Sequence, residues 1–303
     1  MFTNKQITKN SLKVATLGTE KIFYTDLTRK QATELGDVKD LGTKIQVENL
    51  TEEIEPAFPT SISERAVVQV IAPAGAGKSY YINSQIKDYH KNFPDAPIFY
   101  ISACDLDDDP SYNQTRDYII EVDVFALESP LDFKIFKKFS NSLVVFDDCD
   151  SGFATDLGYK LIYPDMTEEE YSKLSIRDKR AISKDVSDKL KITSEYVNQT
   201  LLSLLKNGRK MGVSVISVGH KFFSGNLQSN IISESTSVVL FPSTTNRDKL
   251  KEYIAKKLSF SDKQAKYIIE FKDWYRFEYL ELFFRVGCPF LVCNERVEIV
   301  PKF

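Results

Sequence analysis

A run of small residues that ends in lysine and serine carries the clearest chemical signal in the sequence. Residues 72–79 read APAGAGKS and follow a β-branched run at 67–71. This is the spacing of a Walker A loop, whose small residues let backbone N–H groups converge on phosphate oxygens. Lys78 is expected to reach the terminal phosphates, and the Ser79 hydroxyl is expected to bind Mg²⁺. The predicted nucleotide-binding residues are Ala74, Gly75, Ala76, Gly77, Lys78, Ser79 and Tyr80.

One position of this loop departs from the usual pattern. Ala72 stands where the first glycine of the motif is normally found. An alanine is tolerated there if its φ is negative, because a Cβ is penalised heavily only at positive φ. Gly75 and Gly77 keep the conformational freedom that the tight part of the loop requires. The loop is therefore still expected to bind phosphate.

An acidic segment further along the chain completes the predicted site. Residues 143–150 read LVVFDDCD, an apolar run ending in adjacent acids that is typical of a Walker B strand. Asp147 is expected to hold Mg²⁺ at the carboxyl end of the strand, where open α/β sheets bind ligands. Asp148 is expected to polarise an attacking water. Because a simple kinase transfers phosphate to a substrate hydroxyl, the second carboxylate favours hydrolysis.

A third segment, at 206–222, reads KNGRKMGVSVISVGHKF. Its apolar strand ends at His220, which is expected to sense the γ-phosphate or orient the water; an ordinary loop residue is the alternative. Arg209 precedes the strand and could stabilise transition-state charge on a neighbouring subunit's nucleotide. A surface arginine near a helix C-terminus explains the spacing equally well. The predicted catalytic residues are Lys78, Asp148, Arg209 and His220.

The elements that must position these groups alternate between short apolar runs and helical stretches. Strands are predicted at 67–72, 96–103, 117–125, 142–147, 213–218 and 236–241, and helices at 78–92 and 191–208. Continuous apolar strands between helices indicate a mostly parallel sheet with helices on both faces. We therefore predict an α/β P-loop NTPase core at 61–245, with a charged helical insertion at 151–190. Residues 1–60 are predicted to form an N-terminal arm or small extension, and 246–303 a C-terminal α/β extension.

The composition narrows the class of protein. Of 303 residues, 42% are hydrophobic and 27% charged, as in an ordinary soluble globular protein. Four cysteines without a CxxC pair and only two histidines argue against structural zinc and suit a reducing compartment. No apolar run reaches the roughly 18 residues of a transmembrane helix, and the polar N-terminus lacks a signal-peptide core. A net charge of −3 excludes a globally basic nucleic-acid-binding protein but not a local basic surface.

Together these segments resemble the genome-packaging ATPases of poxviruses, giant viruses and virophages, in the FtsK–HerA group of P-loop motors. The resemblance covers about 66–300 and includes TSVVLFPSTTNRDKLKEYIAKKL at 236–258. It implies a homo-oligomeric ring that uses ATP and Mg²⁺ to translocate double-stranded DNA into preformed capsids. The implied partners include capsid proteins at the packaging vertex, and the implied location is the host-cell cytoplasm, at the virus factory, or the virion. His220 stands where the family commonly has an amide.

A DNA motor needs cations that face phosphates and little base readout, so DNA binding is expected to be independent of sequence. The candidates for lining a pore are Lys206, Lys210, Lys221 and Arg247; each could also be an ordinary solvated charge. Two alternative functions stay open. One is another P-loop DNA motor, helicase-like or a DNA-transfer ATPase. The other is a nucleotide-switched capsid assembly protein without useful turnover.

Overall fold

The computed structural model describes most of the chain from residue 65 onward and four short strands before it. The described residues are 12–17, 21–25, 44–46, 54–56, 65–102, 106, 109–124, 137–147, 159, 163, 165–220, 222, 225–284 and 289–303. Within these ranges, no helix has the length and apolar character needed to cross a membrane.

The described residues form strands before and after the glycine-rich loop. The strands are β1 (Leu12–Leu17), β2 (Lys21–Thr25), β3 (Lys44–Gln46), β4 (Ile54–Pro56), β5 (Val67–Ile71), β6 (Ile98–Ser102), β7 (Ile119–Asp123), β8 (Leu143–Phe146), β9 (Ser214–Gly219), β10 (Ser237–Leu240), β11 (Leu280–Phe283), β12 (Phe290–Cys293) and β13 (Arg296–Ile299). The α-helices are α1 (Lys78–Asn92), α2 (Glu168–Lys173), α3 (Ile176–Asn207), α4 (Gly225–Glu234), α5 (Arg247–Leu258) and α6 (Asp262–Glu270).

One large sheet organises the described part of the chain. Its order is β3-β13-β12-β11-β10-β5-β9-β8-β6-β7. The strands from β10 to β7 in this order are all parallel, whereas β11, β12, β13 and β3 are added antiparallel. Every residue of β5, β8 and β10 is buried, as expected for parallel strands covered on both faces. The predicted mostly parallel α/β sheet is therefore confirmed.

Helices cover both faces of the parallel half. Successive side chains of a strand point to opposite faces. Val68 and Val70 of β5 therefore pack on one face in the core formed with α1. Val67 lies on the other face in the cluster that includes α3, and Ile71 lies there in the cluster that includes α5 and α6. The loop after β5 is thus held between two packed layers.

The described N-terminal strands pack on the C-terminal ones. Strand β1 pairs with β2 and β4 in a small antiparallel sheet, and β3 pairs with β13 at the edge of the large sheet. Val14 and Ile54 from the small sheet share a buried cluster with Phe290 and Val292 of β12. This cluster covers the same face as α1, because the alternate β12 residues, Leu291 and Cys293, pack in the α5–α6 cluster. The domain boundaries given above remain a prediction.

The charged insertion contains a much longer helix than the sequence predicted. Helix α3 runs without a break from Ile176 to Asn207, instead of beginning near 191. No glycine or proline interrupts this stretch, and Ser175 caps its start by accepting from the Asp178 backbone N–H. Its final turns are buried through Val197, Leu201, Leu204 and Leu205, whereas most of its first turns are exposed. The apolar period therefore located only the half of the helix that packs on the core.

A buried carboxylate joins the antiparallel extension to the P-loop helix. Glu281 of β11 is 2% exposed and accepts hydrogen bonds from the Tyr81 hydroxyl of α1 (2.8 Å) and the Ser237 hydroxyl of β10 (2.6 Å). Burial raises the pKa of Glu281 to about 7, although the two hydroxyl donors lower it. Burial, followed by the charge of Glu281, also raises the pKa of Tyr81 well above its usual value.

We predict that Glu281→Gln stabilises the protein at alkaline pH. The raised pKa means that the native state binds this proton more tightly than the unfolded chain, whose carboxyl has its ordinary pKa of 4.5. The stability contributed by the proton is complete below that value and is lost as pH rises through about 7. The variant's advantage over wild type should grow by up to roughly 3 kcal/mol across this window, at about 1.4 kcal/mol per pH unit. Urea unfolding at about pH 5 and about pH 8.5 measures it.

The matched control is Glu298→Gln. Glu298 is also buried, but it accepts from Arg296 (3.3 Å) and from the Tyr267 hydroxyl (2.7 Å), so its charge is compensated. No gain at alkaline pH is expected for this control. An advantage of Glu281→Gln that is the same at both pH values would contradict the assignment of a buried proton.

Candidate functional site

The loop after β5 has the backbone of a phosphate-binding loop. Gly75 and Gly77 have φ values of 71° and 108°, which side-chain-bearing residues rarely adopt. Gly77 caps α1 without a side-chain hydrogen bond, and the first turn of this described helix contains no acidic residue. The N–H groups at the start of α1 are therefore not neutralised by a carboxylate of that turn, which suits an anion bound there.

Ala72 is accommodated because its methyl group is part of the core. It is fully buried in the cluster beneath α1, and its backbone N–H donates to the Gly219 carbonyl (3.2 Å). Among the described residues, the non-glycine positions with positive φ are Asn141, Ser259 and Phe277. Ala72 therefore has an ordinary backbone, and its Cβ costs nothing in the loop.

The Lys78 ammonium group contacts backbone carbonyl groups of the loop that precedes the residue. Its Nζ donates to the carbonyl oxygens of Ala72 (3.3 Å) and Pro73 (3.2 Å) and lies 3.4 Å from Nδ1 of His220. Because an ammonium group cannot accept, Nδ1 accepts in this contact and the ring proton is placed on Nε2. The structure therefore brings together two of the predicted catalytic residues, Lys78 and His220.

The position of His220 follows from the strand order. Strand β9 lies between β5 and β8 and is parallel to both. Its carboxyl end therefore lies between the loop after β5 and Asp147, which follows β8. All three line one cleft of about 870 Å³ at this edge of the sheet. His220 is thus between the phosphate-binding loop and the acid.

Asp147 is oriented by a buried tyrosine. The Tyr100 hydroxyl of β6 donates to Oδ2 of Asp147, and the Asp147 backbone N–H donates to the Ile101 carbonyl (2.9 Å). Burial raises the pKa of Tyr100 far above its ordinary value, and the negative charge of Asp147 raises it further. Tyr100 therefore remains a hydrogen-bond donor, and Asp147 keeps one carboxylate oxygen engaged on the side away from the loop.

Asp109 is a site residue that the sequence reasoning missed. Its Oδ1 accepts from the Ser111 backbone N–H (2.9 Å), and its carboxylate accepts a hydrogen bond from the Ser79 hydroxyl. Burial opposes ionisation of Asp109, but the bonds from Ser111 and Ser79 outweigh it and lower the pKa. The available signal was the acidic run DLDDDP, which follows β6 at the carboxyl edge of the sheet.

The remaining predicted residues are not gathered at the cleft. Arg209 lies in the turn Gly208–Met211 before β9, at the opposite edge of the sheet, together with exposed Lys206 and Lys210. Arg247 begins α5, which follows the carboxyl end of β10, so these cations lie at opposite edges. Arg209 therefore does not line the cleft of its own chain.

Asp148 and Lys221 lie outside the described residues. The predicted loop residues Ala74, Gly75, Gly77, Ser79 and Tyr80 do line the cleft. Ala76 is fully buried in the core cluster beneath α1.

The far wall of the cleft comes from the C-terminal part of the chain. Its lining residues are Arg276, Phe277, Glu278, Tyr279 and Asn294. The sequence contains no phosphate-binding motif here, and this wall reaches the loop only because β11 pairs antiparallel with β10. The wall therefore could not be assigned from local spacing.

The fold and the loop define an α/β domain of the P-loop type. No family model and no curated protein matches the sequence. Among solved structures, the DNA-packaging ATPase B204 from Sulfolobus Turreted Icosahedral Virus is similar over 75% of this chain and 96% of its own, with 12% identity and a TM-score of 0.43. The pCW3 conjugation coupling protein TcpA, with ATPγS, is similar over 96% of this chain and 78% of its own (10% identity, TM-score 0.40). Thermomonospora curvata EccC, in complex with a signal sequence peptide, is similar over 82% of this chain and 39% of its own, with 10% identity and a TM-score of 0.36.

We predict opposite outcomes for two substitutions in the loop. Gly77→Ala places a Cβ at φ 108° and 3.4 Å from the Phe241 ring, which strains the backbone by on the order of 1–3 kcal/mol. Nucleotide affinity should fall by on the order of tenfold, because a loss of about 1.4 kcal/mol in binding free energy is tenfold in affinity. Ala72→Gly restores the usual motif residue but removes a core methyl group, so stability should fall by about 1 kcal/mol with binding unchanged.

Isothermal titration calorimetry with a non-hydrolysable ATP analogue, combined with thermal unfolding, measures both effects. Normal binding by Gly77→Ala would contradict the role of its left-handed backbone. Improved binding by Ala72→Gly would contradict the structural account of the alanine.

Proposed function

We propose that the protein is an ATP-hydrolysing motor that translocates double-stranded viral DNA into preformed capsids. The observation that carries the hydrolase part is the convergence of Lys78, Ser79, Asp147 and His220 in one cleft. A lysine, a hydroxyl and a carboxylate around a phosphate-binding loop are the groups with which P-loop enzymes bind phosphates and Mg²⁺, and the imidazole adds a polar group that can orient water.

The residues of the cleft fit a magnesium ion. The Ser79 hydroxyl, the Asp147 carboxylate and the Asp109 carboxylate are the hard oxygen donors that Mg²⁺ prefers. Ser79 and Asp109 are already hydrogen-bonded to each other, and Tyr100 fixes the orientation of Asp147. We assign Ser79 and Asp147 as ligands and Asp109 as an outer partner. When bound, the ion supplies charge neutralisation at the β- and γ-phosphates.

The chain's own residues provide the other contributions. Lys78 exchanges its carbonyl contacts for phosphate oxygens, and the N–H groups at the start of α1 stabilise the same negative charge. His220, beside Lys78, orients the attacking water or contacts the γ-phosphate. Asp148, next in sequence to Asp147, accepts the water proton in this scheme. The hydrogen bond donated by the Tyr100 hydroxyl holds the Asp147 carboxylate in place.

The DNA-translocating part of the proposal rests on the sequence resemblance over about 66–300. In a ring, the opposite sheet edges of adjacent subunits would face each other, so that Arg209 of one chain reaches the γ-phosphate in the next. Lys206, Lys210 and Arg247 would then contribute cations for sequence-independent contact with DNA phosphates. The proposed partners are capsid proteins at the packaging vertex, and the proposed place is the cytoplasm of the infected cell or the virion.

We predict that ATP hydrolysis by the full chain increases with linear double-stranded DNA and with protein concentration. Concentration dependence is expected because Arg209 completes the site only between subunits. Lys78→Ala should lower turnover by on the order of a hundredfold, since a charge aimed at the transferred phosphoryl group is lost. Release of inorganic phosphate, measured with and without DNA over a range of protein concentrations, tests both points.

Lys263→Ala is the matched control, because Lys263 is an exposed cation of α6 that neither lines the cleft nor belongs to the proposed DNA contacts. Its turnover and its response to DNA should match those of wild type. DNA binding, measured by fluorescence anisotropy, should weaken steeply between about 50 and about 200 mM salt. Hydrolysis that does not respond to DNA at any protein concentration, or a shallow salt response, would reject the DNA motor. ATP binding without turnover would instead favour a nucleotide-switched assembly protein.

We predict that His220→Gln retains more turnover than His220→Ala. Glutamine keeps a polar group at the tip of β9 that can orient water, whereas alanine leaves Lys78 without its neighbour on that side. Removing one positioned polar group should lower kcat by about 10²-fold. Steady-state kinetics at saturating ATP measures it; equal turnover in both variants and wild type would show that His220 is only a loop residue.

A further inference from the structure

The C-terminal wall of the cleft is a preformed structure. The Trp274 indole is buried and donates to the Ile269 carbonyl at the end of α6 (2.8 Å). Glu278 accepts from the Tyr275 backbone N–H (2.8 Å), which closes the turn between them. The segment 274–279 is therefore anchored at both ends, before β11 begins.

An ion pair beneath the wall fixes it further. The Lys272 ammonium contacts Glu278 (3.1 Å) and Glu295 (3.3 Å), and all three side chains are largely buried. Asn294, from the turn between β12 and β13, also donates to Glu278 (3.2 Å). Because the partners come from separate parts of the extension, residues 275–279 are held in one position over the loop.

Phe277 has an unusual conformation in this wall. Its φ is +71°, in the left-handed region that is costly for a bulky side chain. The side chain is nevertheless 54% exposed. A Cβ built on Gly77 would lie 3.6 Å from Phe277, so the residue lies directly against the phosphate-binding loop. The fold thus maintains a strained backbone to present an aromatic ring to the cleft.

Two further groups make this part of the cleft suitable for a flat aromatic ligand. Tyr80 follows Ser79 at the start of α1, lines the same cleft and is 67% exposed. The Arg276 guanidinium lies 4.7 Å from the centre of the Phe277 ring. Aromatic rings and guanidinium groups stack on the flat faces of nucleobases. This contact depends little on which base is bound, because every base has such a face.

We propose that Phe277, with Tyr80, forms the stacking site for the nucleobase of the bound nucleotide, and that the C-terminal extension therefore sets the affinity for a base-containing ligand. This rests on the proposed function, because the phosphate groups of the same ligand occupy the loop. The two parts of the ligand contact different elements: the loop between β5 and α1 binds the triphosphate, and the segment 274–279 binds the base.

A purely structural role for Phe277 makes a different prediction. If its ring only supports Gly77, its loss disturbs the loop and weakens every ligand that contains a triphosphate. If the ring stacks on the base, its loss weakens only ligands that contain a base. Comparing a nucleotide with inorganic tripolyphosphate therefore separates the two roles.

The experiment measures binding of a non-hydrolysable ATP analogue and of inorganic tripolyphosphate, each with Mg²⁺, to the full chain by isothermal titration calorimetry. The variants are Phe277→Ala and Phe277→Gly. Glycine adopts a positive φ without strain, so the second variant is expected to fold even if the first is destabilised. Phe303→Ala is the matched control, since Phe303 is an exposed phenylalanine (64%) that does not line the cleft.

We expect both Phe277 variants to lose about tenfold in affinity for the ATP analogue, as for loss of one stacked ring. Their affinity for tripolyphosphate should be unchanged, and the control should match wild type for both ligands. An equal loss for both ligands, or no loss for either, would overturn the base-stacking site. Wild-type protein that binds tripolyphosphate as tightly as the analogue would also overturn it and leave the phosphate site intact. Wild-type protein that binds neither ligand would overturn the proposed function itself.

Discussion

The pairing of β9 between β5 and β8 is the constraint on which the candidate site depends. Parallel strands bring their carboxyl ends to one edge, and adjacent strands are about 4.8 Å apart, so the loop after β5 and Asp147 are separated by about 10 Å. His220 follows the strand between them, so its side chain lines the cleft between the loop and the acid.

Buried polar groups join α1 and β10 to the C-terminal strands, so that these elements form one packed unit. Glu281 accepts hydrogen bonds from α1 and from β10, and the Tyr253 hydroxyl of α5 donates to Gln69 of β5 (3.0 Å). Buried groups of this kind are costly unless every partner is in place, so they favour a single arrangement of the elements. The wall that carries Phe277 is consequently held in a fixed relation to Gly77, without a flexible hinge in the described segment between α6 and β11.

The sequence was sufficient for the features that contiguous residues define. The loop at 72–79, the strands around it and the parallel half of the sheet all follow from local spacing and apolar runs. Asp109 and Phe277 could not be assigned in this way, because their roles depend on which strand ends and turns the topology brings together. The start of α3 was misplaced for a related reason: its first turns are charged and exposed, so the apolar period that identifies a packed helix begins only near Val197.

The resting contacts of Lys78 impose a condition on any ligand. Its ammonium group is already solvated by two loop carbonyls, so binding exchanges one set of oxygen acceptors for another instead of creating new ones. The number of hydrogen bonds to Lys78 hardly changes on binding. The gain in binding free energy therefore comes from the greater negative charge of phosphate oxygens relative to carbonyl oxygens. A neutral nucleoside offers no such difference and leaves the lysine where it is. If Lys78 binds phosphate as proposed, its two carbonyl contacts therefore favour a polyanion over an uncharged ligand.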